Sequence, residues 1–258
     1  MPGLAGRRAL VTGGGRGIGR AVALDLARAG AAVAVAARTR AEVDAVAAEA
    51  RRLGATAAAV VADVARPESV QEMFRAARAA LGTVDIVVCG AGVAPSAPVV
   101  KTTEEQWRAA VETNLSGSFY CLREALGPMA ERGWGRAVVV ASIAGKTGLP
   151  YIAAYSASKH GVLGLVKCAA LEVAARGVTV NAVCPGYVDT PMTDTSIARI
   201  SEKTGHSPAD LRKRLEETSP QKRLFTAEEV SALVLFLCGE EARGINGQAI
   251  NLDGGSVV

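Results

Sequence analysis

The segment Thr12-Gly-Gly-Gly-Arg-Gly-Ile-Gly19 follows the apolar run Ala9-Leu-Val11 and precedes an amphipathic stretch that ends near Ala29. Glycines at this spacing permit a tight turn, and they let backbone N–H groups approach a phosphate at the amino end of a helix. A glycine-rich loop alone is weak evidence, but a strand before it and a helix after it are the context that such a loop requires. The segment therefore predicts a strand, a phosphate-binding turn and a helix, the first unit of an α/β fold.

Short apolar runs alternate with longer amphipathic stretches along the rest of the chain. The runs predict seven strands, near residues 9–11, 32–36, 56–61, 85–89, 137–141, 178–183 and 248–252. They are continuously apolar, as expected for parallel strands whose sheet is covered on both faces. Helices are expected to begin near Gly17, Arg40, Pro67 and Thr103, and a further helix carries Tyr155. We expect an α/β, Rossmann-type, doubly wound parallel seven-stranded sheet in a single domain spanning residues 1–258.

The alternation is interrupted only between Gly186 and Thr226. This stretch holds three prolines and two short polar helical patterns, at residues 197–203 and 208–217. Because it follows the sixth strand, it is expected over the carboxyl ends of the sheet, where ligands bind in open α/β folds. We interpret residues 190–224 as a small helical substrate lid; the alternative is an ordinary surface insertion.

Composition limits the classes of partner. The 258 residues carry a net charge of +4, and acidic and basic residues are interspersed, which argues against nucleic acid or a membrane surface as the main partner. No apolar stretch reaches the ~18 residues of a membrane span, and the first residues lack the apolar core of a signal peptide. Five widely spaced cysteines lie in apolar runs without metal-ligand spacing. We expect reduced core thiols, no metal site and a cytoplasmic protein.

Tyr155 and Lys159 stand four residues apart in Tyr-Ser-Ala-Ser-Lys, and Ser142 lies thirteen residues before Tyr155. Positions i and i+4 share one helix face, so the Lys159 ammonium is expected beside the Tyr155 phenol. A neighbouring positive charge stabilises phenolate, so we expect a tyrosine pKa lowered toward neutral pH. Ser142, at a strand end, could hydrogen-bond a substrate oxygen. The alternative is a surface tyrosine and lysine on an exposed helix.

The spacing Gly13-x-x-x-Gly17-x-Gly19, together with Ser142, Tyr155 and Lys159, resembles the short-chain dehydrogenase/reductase family. The similarity spans essentially the whole chain, and it includes Asp63-Val64, Gly90-Ala91-Gly92, Asn114 and Pro185-Gly186. In the family, the residues that match Asn114, Ser142, Tyr155 and Lys159 form a catalytic tetrad. One departure is Gly90, where the family usually has an asparagine that supports the end of the fourth strand.

The resemblance implies hydride transfer between a nicotinamide and a carbonyl or alcohol carbon. In the reducing direction, Ser142 would polarise the carbonyl and Tyr155 would protonate the developing alkoxide. Lys159 would lower the tyrosine pKa and hydrogen-bond the nicotinamide ribose, and Asn114 would hold a water that relays protons to Lys159. The alternative for Asn114 is a polar residue that bends its helix.

The second strand ends in Ala36-Ala37-Arg38-Thr39. NAD-dependent members of the family place an acidic residue at the position of Ala37, where it binds the ribose 2′-hydroxyl. Arg38, and by resemblance Arg16, would instead pair with a 2′-phosphate, so the expected cofactor is NADP(H). Each arginine could alternatively be a solvated surface charge. The expected cofactor-binding set is Gly13, Arg16, Gly17, Ile18, Gly19, Arg38, Thr39, Asp63, Val64, Gly90, Ala91, Gly92, Tyr155, Lys159, Pro185, Gly186, Val188 and Thr190.

Residues 155–192 look most similar to 3-oxoacyl thioester reductases and, within those, to aromatic polyketide ketoreductases. Substrates on coenzyme A or a carrier protein are negatively charged, so lid cations could steer them: Lys203, Arg212, Lys213, Arg214, Lys222 and Arg223. The alternative is a normally solvated helix surface. The segment Val93-Ala-Pro-Ser96 differs from the Pro-Gly-Gly that polyketide enzymes often have there.

These observations predict an NADPH-dependent ketoreductase that acts on a small-molecule carbonyl substrate, either free or bound to coenzyme A or a carrier protein. Two alternatives are a secondary-alcohol dehydrogenase of secondary metabolism and a non-catalytic NADP-sensing protein. The resemblance also implies a homotetramer, with helices near residues 103–127 and 151–175 at one interface.

Overall fold

Seven parallel strands form one sheet in the computed structural model, which describes residues 3–257. The strands are β1 Arg8–Thr12, β2 Ala32–Ala37, β3 Ala57–Val61, β4 Ile86–Cys89, β5 Gly135–Val140, β6 Val178–Pro185 and β7 Ala249–Leu252. Their order across the sheet is β3-β2-β1-β4-β5-β6-β7. The fold class predicted from the sequence, a doubly wound Rossmann-type sheet in a single domain, is confirmed.

Helices cover both faces of this sheet. Within residues 3–257 they are α1 Gly17–Arg28, α2 Arg40–Arg52, α3 Pro67–Leu81, α4 Glu104–Ala110, α5 Gly117–Arg132, α6 Ala153–Val173, α7 Pro191–Thr204, α8 Pro208–Glu217 and α9 Ala227–Cys238. Successive strand residues point to opposite faces, so Leu10 packs in the layer with α3, α5 and α6. Ala9 and Val11 pack in the layer with α1, α2 and α9. This two-sided burial explains why the strands read as continuous apolar runs.

The chain changes direction across the sheet between β3 and β4. From β1 it proceeds through β2 to β3 at one edge, and then returns to place β4 on the other side of β1. Loops that leave the carboxyl ends of β1 and β4 therefore diverge and leave a crevice between them, which is where open α/β folds bind ligands. The fold thus brings the glycine-rich loop and residues 90–93 to one place.

The helix expected to begin near Thr103 is not uniform. Its first part is α4, its second part is α5, and the six residues Val111–Ser116 between them form a π-helical turn that contains Asn114. The long helix expected from the sequence is therefore present, but it is interrupted by this π-helical turn. Ser118 Oγ donates to the Asn114 carbonyl (2.7 Å), a side-chain bond that competes with regular helical pairing.

Cys168 also differs from its prediction. Cys89, Cys121, Cys184 and Cys238 are free and buried, as expected, whereas Cys168 is free and exposed. Helical periodicity explains the difference, because Cys168 lies on the outward face of α6 with Gly164 and Leu171. None of the helices within residues 3–257 combines the length and apolar character that crossing a membrane requires.

Residues 190–224 form a separate two-helix excursion over the carboxyl ends of the strands. Helix α7 begins at Pro191, six residues earlier than predicted, because proline suits the first turn of a helix. Both ends of the excursion are joined by a bridge between Val188 and Phe225, and Arg212 pairs with Asp189 (2.5 Å). Most of its side chains are exposed. That this segment acts as a lid stays a prediction.

We expect amide hydrogen exchange to be faster in residues 190–224 than in β1 and β4, because few side chains of this segment are buried. Exchange there should slow when NADP and a ketone are both bound. Hydrogen-exchange mass spectrometry measures both effects. Helix α9, which follows the segment directly but packs in the core, is the internal control and should be protected throughout. Protection of residues 190–224 equal to that of α9 in the free protein would identify a fixed wall.

Candidate active site

The glycine-rich loop is held against the loop that follows β4. Gly13 has a φ of +66°, and a Cβ placed on it would lie 2.7 Å from the carbonyl oxygen of Gly90. A Cβ on Gly19, in the first turn of α1, would lie 2.2 Å from the carbonyl oxygen of Gly13. Glycine is required at both positions for steric reasons, so the sequence pattern reflects close backbone packing as well as turn formation.

Thr12 supplies part of the support at this strand end. The N–H of Gly90 donates to the Thr12 carbonyl (3.2 Å) and lies 3.1 Å from the Thr12 Oγ1. The N–H of Ala91 also points to Thr12 Oγ1, at 3.4 Å. These contacts tie the ends of β1 and β4 together at the position where the family pattern would have an asparagine side chain.

A cavity of about 360 Å³ opens beside this loop. Thirteen of the residues predicted to bind a cofactor line it: Gly13, Arg16, Gly17, Ile18, Gly19, Arg38, Thr39, Asp63, Val64, Gly90, Ala91, Gly92 and Thr190. They come from the ends of β1, β2, β3 and β4 and from the start of α7. We call this space the loop cavity.

Three of the charged residues that line the loop cavity, Arg16, Arg38 and Glu42, lie near the ends of β1 and β2. Arg38 is exposed, and it makes no ion pair within residues 3–257. Arg16 lies 3.8 Å from the carboxylate of Glu42, an acidic residue in the first turn of α2. Sequence reasoning missed Glu42, because it looked for an acid only at the position of Ala37. Helix α2 brings this carboxylate back to the glycine loop, close to Gly15.

A second cavity of about 240 Å³ adjoins the first. Ser142, Tyr155 and Lys159 line it together with Pro185, Gly186 and Val188. We call it the tyrosine cavity. Eight residues line both cavities: Ile18, Gly90, Gly92, Ala94, Thr190, Met192, Ser196 and Arg199. The two cavities therefore adjoin each other along these residues.

Different elements position Ser142, Tyr155 and Lys159 in the tyrosine cavity. Ser142 follows β5, and its Oγ accepts from the N–H of Ala144 (3.1 Å), which fixes the start of a short 3₁₀ turn. Tyr155 and Lys159 are one helical turn apart on α6. The Lys159 Nζ lies 5.7 Å from the centroid of the Tyr155 ring, and it donates to the carbonyl of Val140 (2.7 Å).

Electrostatics at this pair differ from the expectation. Burial raises the pKa of the Tyr155 phenol above its ordinary value, and interaction with the Ser142 side chain opposes that increase. Burial also lowers the pKa of the Lys159 ammonium to about 8. The predicted lowering of the tyrosine pKa was wrong for this structure, because desolvation of the phenol raises the pKa more than the hydrogen bond with Ser142 lowers it. The same desolvation weakens the proton affinity of the lysine.

Asn114 is fully buried and lines neither cavity. Its Nδ2 donates to the carbonyl of Val93 (3.0 Å) and to Ser158 Oγ (2.9 Å), and its Oδ1 accepts from the Val93 N–H (2.9 Å). The side chain thus ties the π-helical turn to the loop after β4 and to α6. This agrees with the alternative of a polar residue that distorts its helix. Retention of a water by Asn114 stays a prediction.

Several further residues of the cavities carried no sequence signal. The tyrosine cavity is lined by apolar side chains from three separate segments: Leu149, Ile152, Tyr187, Met192, Ile200 and Leu215. Arg199 of α7 also lines it, and so does Lys203, which was predicted from the sequence as a lid cation. Tyr187 directly follows the predicted Pro185-Gly186, and burial raises the pKa of its phenol. The cavity residues of α7 and α8 reach it only through the path of residues 190–224.

Comparison with known proteins agrees with this geometry. A family model described as enoyl-(acyl carrier protein) reductase matches residues 13–256. The chain is 36% identical to a D-beta-hydroxybutyrate dehydrogenase of Rhizobium meliloti, over 96% of this chain and 98% of that protein. It is 36% identical to a 3-oxoacyl-(acyl-carrier-protein) reductase of Staphylococcus epidermidis, with the same coverage. The crystal structure of an actinorhodin polyketide ketoreductase variant with NADPH superposes with a TM-score of 0.93 at 37% identity, covering 97% of both chains.

Fold and site together define the class of the protein, an oxidoreductase built on a Rossmann-type sheet. The chain belongs to the short-chain dehydrogenase/reductase family, because the family model covers nearly all of it and relatives above 30% identity align end to end. The resemblance noted in the sequence is thereby confirmed.

The lowered pKa of Lys159 gives a testable pH dependence of stability. The folded-state pKa of about 8 lies below the ordinary value of 10.5, so between these values the unfolded chain binds more protons. Stability from this group is therefore complete above the unfolded-state pKa and is lost as pH falls through 8. Urea unfolding at pH 7 and pH 9.5 should show the wild type gaining about 2 kcal/mol relative to Lys159→Met. An equal pH response of the two proteins would contradict the burial of a titrating lysine.

Proposed function

We propose that this protein is an NADPH-dependent ketoreductase that transfers hydride to the carbonyl carbon of a small ketone. The observation that carries the proposal is that Ser142, Tyr155 and Lys159 line one cavity, which meets the glycine-loop cavity along a shared wall. A hydrogen-bond donor, a proton donor and a cation at the junction with a dinucleotide site are the groups that carbonyl reduction needs.

The loop cavity fits a dinucleotide phosphate. Gly13 and Gly19 leave no room for a Cβ, so the loop backbone stays close to the amino end of α1, where N–H groups favour an anion. Arg38 offers an exposed cation beside Ala37, which suits a 2′-phosphate better than a 2′-hydroxyl. Thr39, Asp63 and Val64 would border the adenosine. When bound, NADPH would supply the hydride that reduces the carbonyl.

The protein's own residues would manage charge on the carbonyl oxygen. Ser142 would donate a hydrogen bond to this oxygen and so fix the ketone at the junction of the two cavities. Tyr155 would give its proton to the same oxygen as negative charge develops there. Lys159, already anchored on the Val140 carbonyl, would stabilise the resulting phenolate by its positive charge. Asn114 would act on this pair indirectly. Its hydrogen bonds would hold helix α6 and the loop that follows β4 in place.

The raised pKa of Tyr155 and the lowered pKa of Lys159 set the protonation states from which the pair would act. A phenol with a raised pKa is fully protonated at neutral pH, and a lysine with a pKa of about 8 still carries its charge there. The pair therefore holds a proton ready for transfer and a cation that offsets its loss.

A 3-oxoacyl thioester or a polyketide-type ketone is the substrate that we propose. Apolar side chains of the tyrosine cavity, among them Leu149, Ile152 and Leu215, suit an acyl chain. Relatives named as 3-oxoacyl-(acyl-carrier-protein) reductase and polyketide ketoreductase support this choice. Attachment to coenzyme A or to a carrier protein belongs to the same proposal.

A second candidate is oxidation of a secondary alcohol by NADP, with Tyr155 accepting the proton. It is favoured by the D-beta-hydroxybutyrate dehydrogenase relatives. Initial rates with matched ketone and alcohol pairs, measured in both directions at one pH, separate the two candidates. A non-catalytic NADP sensor has less support, because the whole Ser, Tyr and Lys set lines the cavity.

We also propose a homotetramer in the cytoplasm. The outward face of α6 presents Leu171, which is 81% exposed, and α5 presents Phe119, which is 43% exposed. Both helices lie in the ranges expected at an interface, and exposed apolar side chains of this size favour association. The free cysteines support a reducing compartment.

Tyr155→Phe tests the catalytic proposal, because it removes only the hydroxyl. NADPH binding, measured by fluorescence titration, should be retained, while turnover should fall by about 10²-fold or more. Tyr187→Phe is the matched control, since Tyr187 lines the same cavity but has no proposed role in proton transfer. Near wild-type turnover by Tyr155→Phe, or an equal loss in both variants, would exclude Tyr155 as the proton donor.

Arg38→Ala and Glu42→Gln test the choice of cofactor, and they should act in opposite directions. Loss of Arg38 should weaken NADPH binding by roughly 1.5–3 kcal/mol, the value of a charged hydrogen bond, and leave NADH binding nearly unchanged. Glu42→Gln should strengthen NADPH binding, because it removes a carboxylate that competes for Arg16.

Dissociation constants for NADPH and NADH, obtained by titration without substrate, measure both effects. Asp44→Asn is the control, because it makes the same charge change on α2 at an exposed residue that lines neither cavity and pairs with Arg40. Tighter binding of NADH than of NADPH by the wild type would overturn the proposed cofactor.

A further inference from the structure

Two cations on α7, Arg199 and Lys203, lie at the rim of the tyrosine cavity and form no ion pair with any residue of the described range 3–257. We propose that Arg199 and Lys203 form a subsite for an anionic group of the substrate, a carboxylate or a phosphate. The inference rests on the proposed ketoreductase function and narrows its substrates to ketones that carry such a group.

The position of both residues follows from helical periodicity. Arg199 and Lys203 are four residues apart, so they share one face of α7, and both line the tyrosine cavity. The same face carries Met192, Ser196 and Ile200, which also line the cavity. Helix α7 therefore presents a face that is apolar and small in its first part and cationic toward its end.

The positive charges of Arg199 and Lys203 are not paired with carboxylates within the described part of the chain. Within residues 3–257, neither Arg199 nor Lys203 makes an ion pair, and no Asp or Glu lines the tyrosine cavity. Arg212 of the neighbouring helix α8 contrasts with them, because it pairs with three carboxylates: Asp189, Asp194 and Glu216. The carboxylates near this segment therefore pair with Arg212 and do not line the tyrosine cavity.

The other residues of the cavity wall indicate which kind of substrate would fit. Leu149, Ile152 and Leu215 line the same cavity as the two cations, and both cations are themselves exposed at its rim. A ketone with an apolar body would fit against this wall with its carbonyl near Tyr155, and an anionic end would meet the two cations. Electrostatic complementarity of this kind selects substrates by charge.

Arg199 has a competing role that the structure itself suggests, because it also lines the loop cavity. Lys203 lines the tyrosine cavity alone. The two residues therefore separate a substrate role from a cofactor role: a substrate subsite requires an effect of both, whereas a cofactor contact requires an effect of Arg199 only.

The test uses three forms of one ketone, 3-oxobutanoate as the free acid, its neutral methyl ester and its coenzyme A thioester, with saturating NADPH. Arg199→Met and Lys203→Met remove charge with little change of side-chain length. Lys213→Met is the matched control on α8, since Lys213 is exposed and lines neither cavity. Rates of NADPH oxidation give kcat and KM, and fluorescence titration gives the dissociation constant of NADPH.

We expect each cavity variant to raise KM for an anionic form by about tenfold, with kcat nearly unchanged, as for loss of one charged partner. KM for the neutral ester and the behaviour of Lys213→Met should match the wild type. An effect confined to the free acid identifies a carboxylate as the anion, and an effect confined to the thioester identifies a phosphate.

Two results would overturn the subsite: unchanged KM for both anionic forms in both variants, or weaker NADPH binding in Arg199→Met with no effect of Lys203→Met. The second result would assign Arg199 to the cofactor. If the proposed ketoreductase function itself is wrong, the result differs from both of these: the wild type would oxidise NADPH with none of the three forms.

Discussion

The close approach of three glycine backbones at the carboxyl ends of β1 and β4 is the constraint on which the site depends. Gly13 packs against Gly90, and Gly19 packs against Gly13, at distances that exclude a Cβ. Because the sheet order reverses at these two strands, the contact also holds the crevice open on either side. Both cavities border it. The same few backbone atoms therefore position the phosphate-binding turn and the wall that faces Tyr155.

Desolvation is the second force that organises the site. Apolar packing around α6 and β5 raises the pKa of Tyr155 and lowers that of Lys159, so both groups are driven toward their neutral forms. Nearby polar groups compensate only in part, through Ser142 for the phenol and the Val140 carbonyl for the ammonium. A bound ligand that brings negative charge near Lys159 would restore its affinity for the proton. The electrostatic state of the pair thus depends on what occupies the two cavities.

Local patterns were enough to predict the sheet, the glycine loop and the placement of Ser142, Tyr155 and Lys159 in one cavity, because each rests on short-range periodicity and on strand ends that meet at one edge. They were not enough for features that arise from packing between distant segments. Glu42 reaches the glycine loop only because α2 packs beside β2 and α1, and Arg199 reaches the cavity through the path of residues 190–224. The pKa of Tyr155 was misjudged for a related reason: the extent to which the fold buries the phenol, which raises its pKa, cannot be read from the spacing of two residues.

The π-helical turn at Val111–Ser116 limits the insertions and deletions that this part of the chain can accept. Each residue of an α-helix rotates the following side chains by about 100°, and a π turn accommodates one residue more than regular winding. Deletion of a single residue here would let α4 and α5 merge into one regular helix, but it would turn Asn114 away from Val93 and Ser158. The buried face of α5 would rotate relative to α4 as well. Loops usually tolerate insertions and deletions, but this stretch of helix should not. The π turn sets the rotational register between α4 and α5, and a change of one residue would alter that register.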